Sequence, residues 1–118
     1  MAAPNLKQPV TITGKTGVYS ATAALASVIS NGAASGQLLK LNVIRAANLT
    51  TGTASIDITV FRSSAHTYVI KTATVAPNTS LVVLDKNEYL YLEEGDALYA
   101  KANAVSTIDL TIHYEEVS

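Results

Sequence analysis

An antiparallel β-sandwich or barrel is the fold class this sequence predicts, and three observations lead there. Apolar and polar residues alternate with period two over short runs. Turn-forming clusters punctuate the chain at spacings near ~8–12 residues. No apolar stripe at helical spacing extends over a useful length. The 118 residues suit one domain, because two separate cores would each be too small to hold. With 48% hydrophobic residues and a mean hydropathy of +0.26, the chain has ample material for a core and does not read as intrinsically disordered.

The elements follow in order. Residues 1–7 contain Pro4 and are unpatterned, so residues 1–16 read as an extended N-terminal arm or a first edge strand. Within it Pro4, Asn5, Leu6, Lys7 and Pro9 form a candidate docking arm. Residues 17–118 form the single sandwich domain, with no linker inside it. Strands are expected at 10–13, 18–22 and 38–46, and residues 25–29 suit either a strand or one helical turn. Ala54–Arg62 alternates cleanly: Ile56, Ile58 and Val60 share one face, and Asp57 and Thr59 the other. Further strands are expected at 67–75, Ser80–Leu84, 89–92 and 98–102. Residues 107–115 close the series, with Ile108, Leu110, Ile112 and Tyr114 alternating against Asp109, Thr111 and His113.

The punctuation agrees with this division. Ser30-Asn31-Gly32 and Ala34-Ser35-Gly36 bound a loop, Thr50-Thr51-Gly52 separates two strands, and Pro77-Asn78 and Asp85-Lys86-Asn87 suit tight turns. The sequons at Asn48 and Asn78 read as turn chemistry of the same kind. Ile58, Val60, Ile70, Val83, Leu92, Leu98, Leu110 and Ile112 are the expected core.

Composition removes whole classes of function. The absence of cysteine excludes disulfides, thiolate metal sites and cysteine nucleophiles. A net charge of -1 with dispersed Lys and Arg argues against nucleic acid as a partner. No apolar run approaches the ~18 residues of a membrane span, and the first twenty residues lack the apolar block of a secretory signal, so synthesis in a cytoplasm is expected. No serine elbow or glycine-rich phosphate loop occurs. His66, between two strands, and His113, on a polar strand face, have no partner at metal-ligand spacing. No enzyme, cofactor or metal is therefore expected.

Charged residues make up only 14%, while Thr (14), Ser (10) and Asn (7) supply the polar surface. Hydroxyls and amides cost little to desolvate when they are paired, so a surface of these groups and alanine methyls suits contact with another protein. Tyr89 and Tyr91 fall on one face of a strand, opposite Leu90 and Leu92. Exposed together, they suit a neighbouring subunit or a sugar ring; the alternative is a cross-strand pair within the sheet, for instance against Tyr99. Glu93, Glu94 and Asp96 beside them read as solvated turn carboxylates between two strands, and they complete the candidate interaction surface Tyr89, Tyr91, Glu93, Glu94, Asp96.

The run Y-L-Y-L-E-E-G-D-A-L at 89–98 resembles the L-x-L-x-x-G-D-x-L hairpin of jelly-roll modules. It occurs in order with S-I-D-I-T-V at 55–60, P-N-T-S-L-V-V-L-D-K at 77–86 and I-D-L-T-I-H-Y-E-E at 108–116. Over residues 38–116 this order is similar to small virion structural proteins of tailed bacteriophages. The resemblance implies a jelly-roll-like sandwich without enzymatic activity that assembles as a homo-oligomer, a trimer above all, on major capsid or other virion proteins. The expectation is a capsid decoration or cement protein located in the virion. The alternatives are a neck, tail or baseplate adaptor of the same fold, and a carbohydrate-binding module whose glycan contacts are Tyr89, Tyr91 and the adjacent carboxylates.

Overall fold

The computed structural model describes residues 11–118. The candidate docking arm at Pro4, Asn5, Leu6, Lys7 and Pro9 lies outside the described residues. Among those described, nine strands follow one another: β1 (Ile12–Ser20), β2 (Ala26–Ser30), β3 (Leu38–Asn48), β4 (Ala54–Arg62), β5 (Ala65–Val75), β6 (Ser80–Leu84), β7 (Leu90–Leu92), β8 (Ala97–Ala102) and β9 (Ile108–Val117). A single 3-10 turn, Lys86–Glu88, separates β6 from β7, and Asp85 caps it by accepting the Asn87 N–H at 2.8 Å.

The strands form two antiparallel sheets. One runs β1-β9-β3-β6, with β7 also paired to β3; the other runs β2-β8-β4-β5. The β4–β5 hairpin is the innermost of four nested pairs, followed outward by β3 with β6 and β7, then β2 with β8, then β1 with β9. A long hairpin wrapped in this manner is a jelly roll. The antiparallel sandwich expected from the alternation is therefore the fold.

Several expected boundaries change. The described residues 12–13 of the first candidate and 18–20 of the second belong to one continuous strand, because Gly14 and Gly17 both lie inside β1, paired to Glu115 and Ile112 of β9. The division at residue 17 falls within that strand, and residues 12–16 are part of the sheet. The 25–29 segment is a strand: its neighbour β8 supplies the pairing that alanine propensity left open.

The core lies between the sheets. Leu41, Ile44, Ile108, Leu110 and Ile112 from the first sheet meet Ile56, Ile58, Leu98, Ala100 and Ala102 from the second, all with negligible exposure. Alanines on β8 allow the sheets to close over the large aliphatic side chains opposite. Five of the eight expected core residues (Ile58, Leu92, Leu98, Leu110 and Ile112) are buried, whereas Val60, Ile70 and Val83 are only half-buried against the core. Val83 is the extra residue where β6 shifts register against β3, and Ile70 sits between two register shifts on the edge strand β5. Val60 pairs with Leu98 near the end of the sandwich, where the edge of the opposing sheet is the three-residue β7.

Two buried asparagines hold the loops at opposite ends. Asn48 Nδ2 lies 2.8 Å from the Gly52 carbonyl, 3.0 Å from that of Val75 and 3.3 Å from that of Ala76, while its Oδ1 accepts the Thr50 N–H. Asn31 Nδ2 donates to the Gln37 and Leu92 carbonyls, both at 2.9 Å. The turn reading of the Asn48 sequon holds, since this amide is enclosed and fully engaged, and Asn78 occupies a positive-φ turn position.

Tyr19 faces inward from β1 over Gly17, where a Cβ would come within 2.6 Å of the tyrosine ring. Burial, then the neighbouring Tyr114, raises the Tyr19 phenol above its ordinary value of 10.0. The folded state therefore holds this proton more tightly than the unfolded chain. Its contribution is complete below the unfolded pKa and is lost as pH rises through the raised folded value. Tyr19→Phe is expected to flatten the loss of stability as pH rises above 10.0; equal urea-midpoint losses in both proteins would contradict this.

Candidate interaction surface

The acidic turn after β7 is a fastening rather than a free cluster. Gly95 adopts φ 88, which lets the chain reverse between β7 and β8. Asp96 folds back to accept the Glu93 N–H at 2.8 Å. Yet Asp96 is 3% exposed, and Arg62 from the end of β4 grips it: Nε lies 2.9 Å from Oδ1 and 3.0 Å from Oδ2, and a terminal guanidinium nitrogen also contacts Oδ2. That hydrogen bond raises the Arg62 pKa above its ordinary value. Arg62 also reaches Glu93 at 3.0 Å, and Glu94 accepts the Gly36 N–H at 3.0 Å.

The expectation of solvated turn carboxylates is corrected accordingly. The β4–β5 hairpin brings an arginine onto the turn from 34 residues away in sequence, and the pair removes Asp96 from water. Only Glu93 keeps an exposed carboxylate on the rim. The main chain of Asn31 completes the junction, receiving the Gly95 N–H and donating to the Asp96 carbonyl.

Tyr89 and Tyr91 do meet, with ring centroids 5.5 Å apart in an edge-on arrangement, and Lys40 lies 4.5 Å above the Tyr89 ring. Tyr89 is 45% exposed; Tyr91 is half-buried. Their proposed cross-strand partner Tyr99 is on the other sheet, so that pairing does not exist. Tyr91 and Leu90 instead line a groove of about 390 Å³ with Val60, Arg62, Thr67 and Glu93, in the gap between β7 and the β4–β5 hairpin.

A second aromatic group was not anticipated. Phe61, His66 and Tyr99 converge on the outer face of the second sheet, with centroids 4.6 Å (Phe61–His66), 5.5 Å (Phe61–Tyr99) and 4.8 Å (His66–Tyr99) apart. Beneath them Thr59 is fully buried, its hydroxyl 2.8 Å from His66 Nδ1. Register produces the cluster: Phe61 pairs with His66 across β4–β5, and Thr59 pairs with Tyr99 across β4–β8 and with Tyr68 across β4–β5. Tyr68, 46% exposed with Lys71 5.1 Å from its ring, extends the patch along β5. The hint in the sequence was the polar-face position of Thr59 in β4. His66 belongs to β5 rather than to a connecting stretch, and its ring is stacked.

His113 is exposed on β9, paired across β1 to Thr16, far from His66 in the other sheet. Among the described residues, no three His, Asp or Glu side chains converge as a metal site. No helix there is long and apolar enough to cross a membrane. No family model matches the chain, and no curated protein matches it.

Proposed function

We propose that this chain is a non-enzymatic structural protein of a virion that associates with itself and decorates the shell of a tailed bacteriophage. The outer aromatic patch of Phe61, His66, Tyr99 and Tyr68 carries the reading. It lies on the outer face of the second sheet, beside the Arg62–Asp96 pair, and rigid aromatic rings are what the centre of a protein interface uses. The ionisable groups that would serve catalysis are spent elsewhere: Asp96 and Arg62 on each other, Glu94 on a backbone amide. Stabilisation of the shell follows from mass action, since a protein that bridges assembled subunits favours the assembled state.

The test is addition of the purified protein to capsids that lack it. It should co-sediment with them and raise their disruption temperature, and Tyr68→Asp should abolish both while leaving the unfolding free energy within about 0.5 kcal/mol of the parent. Failure to bind any phage shell would overturn the proposal. Gold labelling at a single vertex of intact particles would instead move the protein to the neck or tail. The glycan alternative keeps Tyr91 and Glu93 beside the groove but loses Asp96, both of whose oxygens are occupied.

A further inference from the structure

We infer that two copies of this chain pair through β1, edge to edge, about a two-fold axis at Thr16. The inference is independent of the aromatic patch and goes beyond the virion reading.

The four sheet edges formed by the described strands are unequal. The pairing of β2 is broken between Ser27 and Ile29, that of β6 between Ile44 and Arg45 of its partner, and that of β5 at two places, with Thr72 at φ 49. Such bulges twist an edge away from further pairing. By contrast, β1 pairs with β9 over nine residues without one irregularity. It contains no proline, and its one charge, Lys15, is held inward by Glu116 at 3.2 Å. Exposed Ile12 (55%) and Val18 (72%) remain on it. Among the described strands β1 is therefore the edge with the fewest protecting features, Lys15 being its one charge.

Hydrogen bonding sets which groups are free. Thr11 and Ser118 exchange both backbone bonds, at 3.0 and 2.8 Å, and the Ala21 N–H donates to the Ile108 carbonyl at 2.9 Å. In an antiparallel ladder the bonded residues alternate, so the odd-numbered residues of β1 face β9. Ile12, Gly14, Thr16, Val18 and Ser20 turn their N–H and C=O groups toward the open edge.

A second copy offers the same row in reverse. Centred on Thr16, the register pairs Ile12 with Ser20, Gly14 with Val18 and Thr16 with Thr16, so all five outward residues of each copy are satisfied. Each Val18 then lies beside the other copy's Gly14, where a side chain would meet nothing within 4 Å. Lys15 falls opposite Gly17. Of the two adjacent compatible registers, the one centred on Lys15 leaves Ser20 without a partner inside β1 and sets two lysines face to face, which is unfavourable, and the one centred on Gly17 leaves Ile12 without a partner inside β1. Maximum bonding and charge separation select the same register. This contact is two-fold, in place of the three-fold association expected from the resemblance.

Thr16→Pro provides the test, because the lost N–H is one that β1 does not use within its own sheet, and proline is tolerated at such edge positions. The parent should have twice the 12.3 kDa chain mass by light scattering at about 100 µM, and the variant the single mass with an unchanged circular-dichroism spectrum. Amide exchange checks the parent directly. Gly14, Thr16 and Val18 should be protected at high concentration and lose that protection at least tenfold on dilution. A monomeric parent, a dimer or trimer that survives Thr16→Pro, or fast exchange at these amides would overturn the pairing. Shell binding by the monomeric variant reads the virion proposal separately.

Discussion

Arg62→Leu is expected to destabilise the domain by about 2–3 kcal/mol, somewhat below the ~3–5 kcal/mol of a fully enclosed pair, because roughly half of the guanidinium side already meets water. The effect comes from what is left behind. Asp96, with 4% side-chain exposure, would keep its charge in a buried turn with only the Glu93 N–H to satisfy it. Adding Asp96→Asn to Arg62→Leu should therefore recover stability, since the amide still accepts that bond without carrying charge. Urea midpoints of the two single variants and the double variant form the cycle. A single Arg62→Leu midpoint equal to the parent's, or a double variant as weak as the sum of the singles, would show that the arginine does not hold this junction.

Leu110→Ala and Ile58→Ala should each lower stability by about 2–5 kcal/mol, because both side chains are enclosed between the sheets and neither site can collapse without moving strands. The informative comparison is with Val60→Ala and Val83→Ala, which should cost no more than about 1.5 kcal/mol each because their side chains are already half in solvent. Equal losses at all four positions would mean that the sandwich is closed where the structure leaves it open, at the gap beside β7. Urea unfolding with unchanged slope isolates the stability term.

Alternation was sufficient to locate most strands. Ala54–Arg62 and Ser80–Leu84 coincide with β4 and β6 as expected, because a half-buried strand repeats its solvent contrast every second residue. Reading failed where pairing, rather than pattern, decides. Glycine at 14 and 17 interrupts a propensity argument, yet β9 carries β1 straight through both positions, with Tyr19 covering the space that Gly17 leaves. Val83 was placed in the core by alternation and displaced by a single extra residue in β6. The acidic turn shows the same limit: the G-D turn geometry was legible, whereas its arginine came from a hairpin 34 residues earlier.

Period-two patterning, turn chemistry and the absence of cysteine were enough to specify antiparallel sheets around one core, since these depend on neighbours one to four residues apart. The nesting of four strand pairs, the burial of Asp96 under Arg62, the convergence of Phe61, His66 and Tyr99, and the one unbroken edge at β1 depend on the register between strands far apart in sequence. Register places side chains from distant segments within hydrogen-bond or ring-contact distance, and no local pattern encodes those distances.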